Sequence, residues 1–273
     1  MTKRILLIDG DVIAYQCSAK LETAVEWEPG HWTWHVNFHE VCNAVMDGIE
    51  QYVEELEATD YRICLTDPEY NFRKDVLPTY KTHRATVKKP LVLLAVKDWL
   101  IENQDAIMKP GLEGDDVMGI LATYPSKGEK IIVSIDKDMK TIPCTYVRDL
   151  NSEPVVITEE QAAWFHMYQT LMGDATDGYS GCPGIGPTAA KKALDEMIRL
   201  EPYEHTLIRG PRKGLTETRY REAEAESMWD VVVSHYAAAG LGEEEALRQA
   251  RVARILHASD YDFKRKEPIL WTP

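Results

Sequence analysis

"KRILLIDGDVIAY", residues 3–15, decides the fold, because a short apolar run ends directly on acidic residues. The continuous apolar run at residues 5–8 is typical of a strand that is covered on both faces of a parallel sheet. Asp9 and Asp11 follow at the carboxyl end of that strand. Open α/β sheets bind their ligands at this edge. The stretch therefore predicts a buried first strand with an acidic site at its end.

Two further apolar runs, at residues 62–65 and 130–135, have the same form as the first. Helical patterns lie between them: apolar residues repeat every three to four positions over 40–57, and again over 91–101. Alternating strands and helices predict an α/β fold with a central, mostly parallel sheet that is flanked by helices.

Composition limits the class of protein. The chain has 273 residues and a formal net charge of -14, and no apolar run approaches the ~20 residues of a membrane span. No signal-peptide pattern opens the chain, because the two aspartates interrupt the first apolar run. Five scattered cysteines without C-x-x-C spacing predict reduced thiols in a cytosolic protein and no zinc framework. The net charge alone argues against nucleic acid as a partner.

Acidic residues follow each predicted strand, and two more acidic groups stand in "GLEGDDVMG" and "MGDATDGYSG". The nine acids are Asp9, Asp67, Glu113, Asp115, Asp116, Asp136, Asp138, Asp174 and Asp177. Helix capping would explain a single group such as residues 113–116. Nine converging carboxylates would instead repel one another unless some are protonated or they bind cations. Oxygen ligands select Mg²⁺ or Mn²⁺, and the number of acids is enough for two ions.

A basic segment provides the opposite charge. Residues 72–97 contain seven lysines and arginines against a single acid, Asp75, together with the aromatic residues Phe72 and Tyr80. Unopposed cations among aromatic residues suit a phosphate backbone with exposed bases. The alternative is an ordinary solvated helix face.

The stretch "SGCPGIGPTAAKKAL", residues 180–194, is typical of a phosphate-binding turn. Gly184 and Gly186 permit a tight turn, and Pro187 suits the first position of a helix. The free amides at the start of that helix can bind phosphate. The stretch is similar to the hairpin of helix-hairpin-helix DNA-binding proteins.

Together and in this order, these elements resemble the flap endonuclease and 5′-3′ exonuclease superfamily, above all the short phage-encoded 5′-3′ exonucleases that remove RNA primers. The resemblance is carried by "LLIDGDVIAY", "LTDPEYNFRKDVLPTYKTHRATVKKP", "LEGDDVMG", "SIDKDMKTIP", "GDATDGYSGCPGIG" and "ILWTP". It implies a PIN-like nuclease core over residues 1–157 with a helical arch at about 70–98. It also implies a helical region over 158–273, packed on the core, with a helix-hairpin-helix at 174–200.

The resemblance also implies a role for each site residue. The first metal ion would be held by Asp9, Asp67, Glu113 and Asp115. The second would be held, in part through water, by Asp116, Asp136, Asp138, Asp174 and Asp177. The scissile phosphate would be engaged by Lys81 and Arg84. Other DNA contacts would come from Arg73, Lys74, Tyr80, Lys88, Lys89, Gly184, Gly186, Thr188, Lys191 and Lys192. The hairpin turn would also offer a site for K⁺.

The predicted activity is that of an Mg²⁺-dependent 5′-3′ exodeoxyribonuclease. It would hydrolyse duplex DNA and RNA–DNA hybrids by a two-metal mechanism, in which one ion lowers the pKa of a bound water and the other stabilises the leaving 3′ oxygen. The products would carry a 5′-phosphate. We expect a monomer that acts in phage replication, primer removal and DNA degradation, in the cytoplasm of a bacterial host.

Four alternatives stay open. A structure-specific flap endonuclease or a ribonuclease would use the same kind of acidic core, and an inactive DNA-binding module would lack cleavage. An aspartyl-phosphate phosphatase would use Asp9 as nucleophile and Asp11 as acid. The phosphatase alternative does not explain the basic segment or the glycine-rich turn.

Several features depart from the family pattern or fall outside it. Asp11 replaces a residue that is neutral in many members, and is either an outer acid or a helix cap. Gly178 and Tyr179 replace an Asn-Ile pair, which leaves the position of the Asp177 side chain in the site open. His31, His35 and His39 stand four residues apart and favour either a metal-binding helix face or a strand. Residues 220–238 and 243–255 have helical patterns, and we assign them no chemistry.

Overall fold

The computed structural model of the protein describes residues 3–273. The chain forms two compact units, and each unit draws on distant stretches of sequence. Unit 1 contains the described residues up to Phe72, Arg84–Ala162 and Ile255–Ile269. Unit 2 contains Arg73–His83, Ala163–Arg254 and Leu270–Pro273. The division into 1–157 and 158–273 stays a prediction.

The strands and helices are numbered in chain order. The strands are β1 (Arg4–Asp9), β2 (Thr23–Glu28), β3 (His31–His35), β4 (Asp60–Leu65), β5 (Ile107–Met108), β6 (Glu129–Val133), β7 (Thr145–Val147), β8 (Val155–Val156), β9 (Ile198–Thr206), β10 (Thr216–Glu224), β11 (Tyr261–Asp262) and β12 (Glu267–Pro268). The helices are α1 (Gly10–Leu21), α2 (Phe38–Glu55), α3 (Arg73–Val76), α4 (Leu93–Asn103), α5 (Gly114–Thr123), α6 (Glu159–Met172), α7 (Pro187–Asp195), α8 (Met228–Ala238) and α9 (Glu243–Ala253).

Unit 1 is built on a six-stranded sheet with the order β5-β4-β1-β6-β7-β8. Strand β1 lies in the middle and pairs in parallel with β4 and β6, and only β8 joins its neighbour antiparallel. The three predicted strands are confirmed as β1, β4 and β6. The predicted α/β class with a mostly parallel central sheet is confirmed as well.

Each face of this sheet carries its own apolar layer, because successive side chains of a strand point to opposite faces. Leu6 and Ile8 of β1 pack in the layer that includes α2 and α4. Leu7 packs in the other layer, with α5 and with Leu256 from the end of unit 1. Helices therefore cover both faces, as buried parallel strands require. The helical patterns at 40–57 and 91–101 are confirmed as α2 and α4.

An exposed hairpin, β2–β3, lies outside the main sheet. It contains His31 and His35, so the strand interpretation is confirmed for these two residues, whereas His39 lies in α2; a single helix face with all three histidines is wrong. Its Trp27 and Trp32 side chains are exposed, and among its described residues, 23–35, the hairpin brings no three potential metal-ligating side chains together.

Unit 2 combines helices with a long antiparallel hairpin, β9–β10. The helical pattern at 243–255 is confirmed as α9. The pattern at 220–238 is wrong in its first part, because Tyr220–Glu224 pairs with Ile198–Pro202 in the hairpin and α8 begins only at Met228. Within the predicted 174–200 segment the structure has one helix, α7, and the helix before the turn is α6. None of the helices within residues 3–273 combines the length and the hydropathy that crossing a bilayer requires.

Candidate active site

Acidic residues gather at one edge of the unit 1 sheet. Asp9 is the last residue of β1, Asp67 follows the end of β4, and Asp136 follows the end of β6. Since these strands are adjacent and parallel, their carboxyl ends meet at the same edge. The topology thus places these three acids where the sequence predicts them.

Asp9 lies deepest in this edge, with 5% of its surface exposed. One carboxylate oxygen accepts from the backbone N–H of Val12 at 3.0 Å, which caps α1, and the other accepts from the Ser134 hydroxyl at 2.6 Å. Burial raises the pKa of Asp9 to about 6, the Ser134 hydrogen bond opposes this rise, and the charges of Asp11 and Asp136 add to it. Asp9 is therefore a buried acid whose ionised form is disfavoured by burial and by two neighbouring negative charges.

Asp11 contacts two residues that are distant from it in sequence, Thr66 and Lys97. It accepts from the backbone N–H of Thr66 at 2.8 Å and from the Thr66 hydroxyl at 2.6 Å. It also forms an ion pair with Lys97 at 2.6 Å. The cap of α1 is Asp9, so the capping alternative for Asp11 is wrong. Lys97, which belongs to the basic segment, instead compensates an acid of the site.

Asp67 is held by the backbone of its surroundings. Its carboxylate accepts from the N–H groups of Glu69 at 2.9 Å and Gly111 at 2.7 Å. Burial raises the pKa of Asp67, but hydrogen bonds from Gly111, Glu69 and Tyr70, together with the charge of Lys97, outweigh burial and lower it. Asp67 is thus oriented as an ionised carboxylate.

The acids of "LEGDDVMG" stand at the start of α5, as predicted. Glu113 is buried at the N-cap, and Asp115 in the first turn is half-buried. Asp116 is fully buried, and its two carboxylate oxygens accept from the N–H groups of Glu113 at 3.1 Å and Leu256 at 3.0 Å. Asp116 therefore has a structural role here, and its predicted metal role stays a prediction.

Asp136 and Asp138 open a short 3₁₀ turn after β6. The Asp136 carboxylate accepts from the N–H of Asp138 at 2.8 Å, and Asp138 lies 3.0 Å from the Lys137 ammonium. Asp136 thus caps this turn, as Asp9 caps α1.

The donors at this edge fit a divalent cation by their chemistry. They are carboxylates, the ligands that Mg²⁺ and Mn²⁺ prefer. Burial and, to a smaller extent, like-charged neighbours raise the pKa of Asp9, and a cation would relieve the repulsion from those neighbours. Between residues 3 and 273, no three His, Cys, Asp or Glu side chains stand close enough to enclose an ion in this arrangement.

Unit 2 holds the remaining predicted acids, Asp174 and Asp177, in one turn. The N–H and C=O of Asp174 pair with those of Tyr179, and the Asp174 carboxylate accepts from Thr176 N–H at 2.7 Å. Asp177 lies 3.4 Å from the Lys81 ammonium, and its carbonyl accepts from the Lys81 N–H at 2.8 Å. Lys81 is therefore positioned by a predicted metal ligand.

Gly178 has a structural reason for its departure from the family pattern. Its φ is +80°, and a Cβ at this position would lie 3.2 Å from the carbonyl oxygen of Thr79. Glycine thus lets the turn that carries Asp177 approach the segment that carries Lys81.

Two predicted DNA contacts lie inside unit 2. Arg73 is 2% exposed and donates to the carbonyls of Val252 at 3.0 Å and Arg254 at 2.6 Å. Tyr80 is also 2% exposed, and its hydroxyl donates to Asp177 at 3.1 Å. This differs from the prediction, because buried side chains such as these stabilise the fold and offer no surface to DNA.

Four other cations of the basic segment are exposed. Lys74 lies in unit 2, whereas Arg84, Lys88 and Lys89 lie in unit 1. Lys88 forms an ion pair with Glu22 at 2.6 Å and stands 4.0 Å from the centre of the Trp34 ring. Their DNA contacts stay a prediction.

The glycine-rich turn before α7 has the expected form. Gly184 has a φ of +79°, Gly186 is the N-cap, and Pro187 is the first helical residue. A Cβ on either glycine would meet no atom within 4 Å, so the turn faces open space. Thr188, Lys191 and Lys192 are exposed; the two lysines pair with Asp195 and Glu222.

The sequence motifs did not predict the roles of Ser134 and Thr66 or the pairing of Lys97 with Asp11. The signal for Ser134 was its position directly after β6, next to the end of β1. A hydroxyl at a strand end beside a buried acid is a natural hydrogen-bond donor.

Comparisons with known proteins agree with this architecture. The family described as "5'-3' exonuclease, N-terminal resolvase-like domain" matches residues 4–167. An exodeoxyribonuclease of Enterobacteria phage T3 is 37% identical, over 99% of this chain and 93% of that protein. An exonuclease of Escherichia phage T7 is also 37% identical, over 99% of this chain and 94% of that protein. A bacteriophage T5 flap endonuclease, solved as a pseudo-enzyme–product complex with DNA and metal ions, shares the fold. Its TM-score is 0.63 at 12% identity, over 92% of this chain and 89% of that chain.

Proposed function

Because the chain belongs to the 5′-3′ exonuclease family and is a 5′-3′ exodeoxyribonuclease, we propose that it hydrolyses duplex DNA and RNA–DNA hybrids. We further propose that the reaction uses Mg²⁺ or Mn²⁺, held by the acidic residues at the edge of the unit 1 sheet. The observation that carries the metal proposal is Asp9, a buried carboxylate whose pKa is raised to about 6 by burial, with two like-charged neighbours adding to the rise. Burying such a group is costly unless its charge is neutralised.

Oxygen ligands for the cations would come from the predicted set. A first ion would be held by Asp9, Asp67, Glu113 and Asp115. A second would be held by members of the group Asp116, Asp136, Asp138, Asp174 and Asp177. A bound divalent cation supplies Lewis acidity and makes water a better nucleophile at neutral pH.

The protein's own residues hold these acids in place. Val12 and Ser134 orient the carboxylate of Asp9, and Gly111 orients that of Asp67. Lys97 balances the charge of Asp11, so this acid need not draw on a cation. Such preorganised groups need no rearrangement at the moment of reaction.

DNA would be held by cations and by backbone amides. The start of α7 presents N–H groups beside an open glycine turn, which suits a phosphate, and Lys191 and Lys192 add positive charge. The carbonyls of the Gly184–Gly186 turn would hold K⁺. Lys81 and Arg84 would neutralise the scissile phosphate in the transition state.

The two relatives at 37% identity are phage exonucleases, which supports a phage setting for this enzyme, and we propose that it acts there in DNA replication. We place the enzyme, as a monomer, in the cytoplasm of a bacterial host, where it would remove RNA primers and degrade DNA. Its products would carry 5′-phosphates.

A duplex with an RNA segment at a labelled 5′ end and a second label at the 3′ end tests the proposal. In Mg²⁺ we expect short 5′ products before the 3′ label shortens, and in EDTA no cleavage. Asp9→Asn should lower the rate by about 100-fold or more, as loss of a group that stabilises transition-state charge does. Asp98→Asn, on the exposed face of α4, is the matched control and should cleave like the wild type.

Other outcomes would revise the proposal. Internal cuts without a need for a 5′ end would favour a flap endonuclease. Binding without cleavage in any divalent metal would favour an inactive module, and hydrolysis of a small phosphomonoester alone would favour a phosphatase. Equal activity in EDTA would refute the metal proposal.

Lys81 provides a second test. Lys81→Met should lower kcat more than it lowers affinity for duplex DNA, since in this proposal the ammonium would stabilise transition-state charge rather than contribute to general binding. A change in affinity alone would make Lys81 a backbone contact.

A further inference from the structure

The β9–β10 hairpin is a long arm of unit 2. Each strand has nine residues, so the arm extends by roughly 30 Å. Its base is anchored: Leu200 N–H donates to the Ser234 hydroxyl at 3.0 Å, and Ala225 N–H to the Met197 carbonyl at 2.8 Å. The arm therefore begins beside α7 and α8 and carries its far end away from them.

The far end of the arm is basic. The connecting segment "LIRGPRKGL", residues 207–215, contains Arg209, Arg212 and Lys213 and no acid, in a chain whose net charge is -14. The three side chains are exposed. Arg212 lies 3.9 Å from Glu217, at the long end of the range for an ion pair, where the stabilisation is small.

The strands of the arm have the opposite balance. They contain three arginines against five glutamates, a net charge of -2. Glu201 pairs with Arg221 at 2.7 Å, and Glu217 pairs with Arg219 at 2.8 Å. Charges within the strands thus compensate one another, whereas the cations of the far end are concentrated in nine residues.

The basic end is an ordered turn. Leu207 N–H donates to the Leu215 carbonyl at 2.9 Å, and Gly214 N–H donates to the Leu207 carbonyl at 2.8 Å. Gly210 and Gly214 supply φ values of +81° and +87°, which glycine adopts without strain. Because the turn is closed by its own hydrogen bonds, little backbone entropy is lost when a ligand binds its side chains.

We propose that this basic turn binds the phosphate backbone of the duplex substrate, as a second DNA contact of unit 2 besides the start of α7. The inference rests on the proposed function, in which duplex DNA is the substrate. Phosphates complement cations that few acids oppose. The exposed apolar residues Ile208 and Leu215 flank the three cations, and Pro211 lies between Arg209 and Arg212. Proteins that insert a β-ribbon into a groove of DNA combine cations with apolar side chains in this way.

Salt dependence of binding tests the proposal. Arg209, Arg212 and Lys213 are replaced together by alanine, and the affinity for a 30-base-pair duplex is measured in Ca²⁺ without cleavage. Each lost phosphate contact should lower the salt slope by about 0.9, so three contacts lower it by about 2.7. The ratio of wild-type to variant affinity should therefore shrink by about 40-fold between 50 and 200 mM salt.

The turn between β11 and β12 offers a matched control. Lys264, Arg265 and Lys266 are also three exposed cations in a hairpin turn, and their replacement by alanine changes the net charge equally. This variant should keep the wild-type slope. A second arm variant with glutamine at Arg209, Arg212 and Lys213 removes the charges but keeps polar side chains, and should match the alanine variant.

Each outcome decides between distinct conclusions. A wild-type slope in both arm variants would overturn the proposal and leave an acidic protein as the partner of the turn. If the salt slope falls equally in the arm variant and in the control, the effect depends on net charge alone, and the proposal is also overturned. If the wild type itself neither binds nor cleaves duplex DNA, the proposed function fails first.

Discussion

Replacing Asp116 with asparagine should destabilise unit 1, although the resemblance assigns this carboxylate to a metal ion. Asp116 is fully buried, and its two oxygens accept from the backbone N–H groups of Glu113 and Leu256. Asparagine has nearly the same shape but only one acceptor oxygen. One of the two N–H groups would therefore face an amide donor instead of a carboxylate.

The size of the effect follows from this geometry. Loss of a hydrogen bond to a charged group removes about 1.5–3 kcal/mol, and a buried N–H without an acceptor costs about 1–3 kcal/mol. We expect the free energy of unfolding to fall by about 3–5 kcal/mol. For a chain of this size each kcal/mol lowers Tm by about 2–4 °C, so the expected shift is about 6–20 °C.

Thermal unfolding in EDTA is the appropriate assay, because no metal site then contributes to stability. Asp115→Asn is the matched control: Asp115 is the neighbouring acid in the first turn of α5, where the helix dipole is worth about 0.3–1 kcal/mol. An unchanged Tm for Asp116→Asn in EDTA, with a loss of metal-dependent cleavage, would refute the capping argument and make Asp116 a ligand.

Two further predictions concern unit 2. Arg73→Met should lower the free energy of unfolding by about 3–5 kcal/mol, since it leaves two buried carbonyls without their charged donor, and the affinity of the folded protein for duplex DNA should not change. Urea unfolding and a binding titration check this against the exposed Lys74→Met, and weaker binding at unchanged stability would contradict it. Gly173→Ala should prevent unit 2 from folding properly, because Gly173 has a φ of +73° and an added Cβ would overlap the backbone of Ser180. Near-UV circular dichroism and solubility measure this, with Gly184→Ala in open space as the comparison for which only the φ penalty applies.

The local parts of the fold could be predicted from the sequence. Strands β1, β4 and β6 are continuous apolar runs, and α2 and α4 have apolar residues at helical spacing, so each is specified within its own segment. Strand β10 could not be predicted in this way. Its sequence "TETRYREAE" is polar on both faces, and it is a strand because β9 pairs with it.

The placement of the acids was predictable, but their individual roles were not. The order and direction of the strands place Asp9, Asp67 and Asp136 at one edge of the sheet, independently of their side-chain conformations. That Asp11 pairs with Lys97 and that Asp116 caps α5 depends on side-chain geometry that no spacing reveals. A run of charged residues does not reveal which of its side chains are buried. Arg73 was therefore predicted to contact DNA, although its side chain is buried.

The late return of the chain to unit 1 has a consequence for synthesis on the ribosome. Residues up to 162 contain the complete six-stranded sheet, yet Leu256 must still arrive to donate its N–H to the buried Asp116 and to complete one apolar face. At about 5–20 residues per second, translation of the intervening segment lasts about 5–20 s. During that time the apolar layer is covered by α5 but not yet by residues 255–261, so a chaperone that shields the remaining apolar surface would raise the yield of native enzyme.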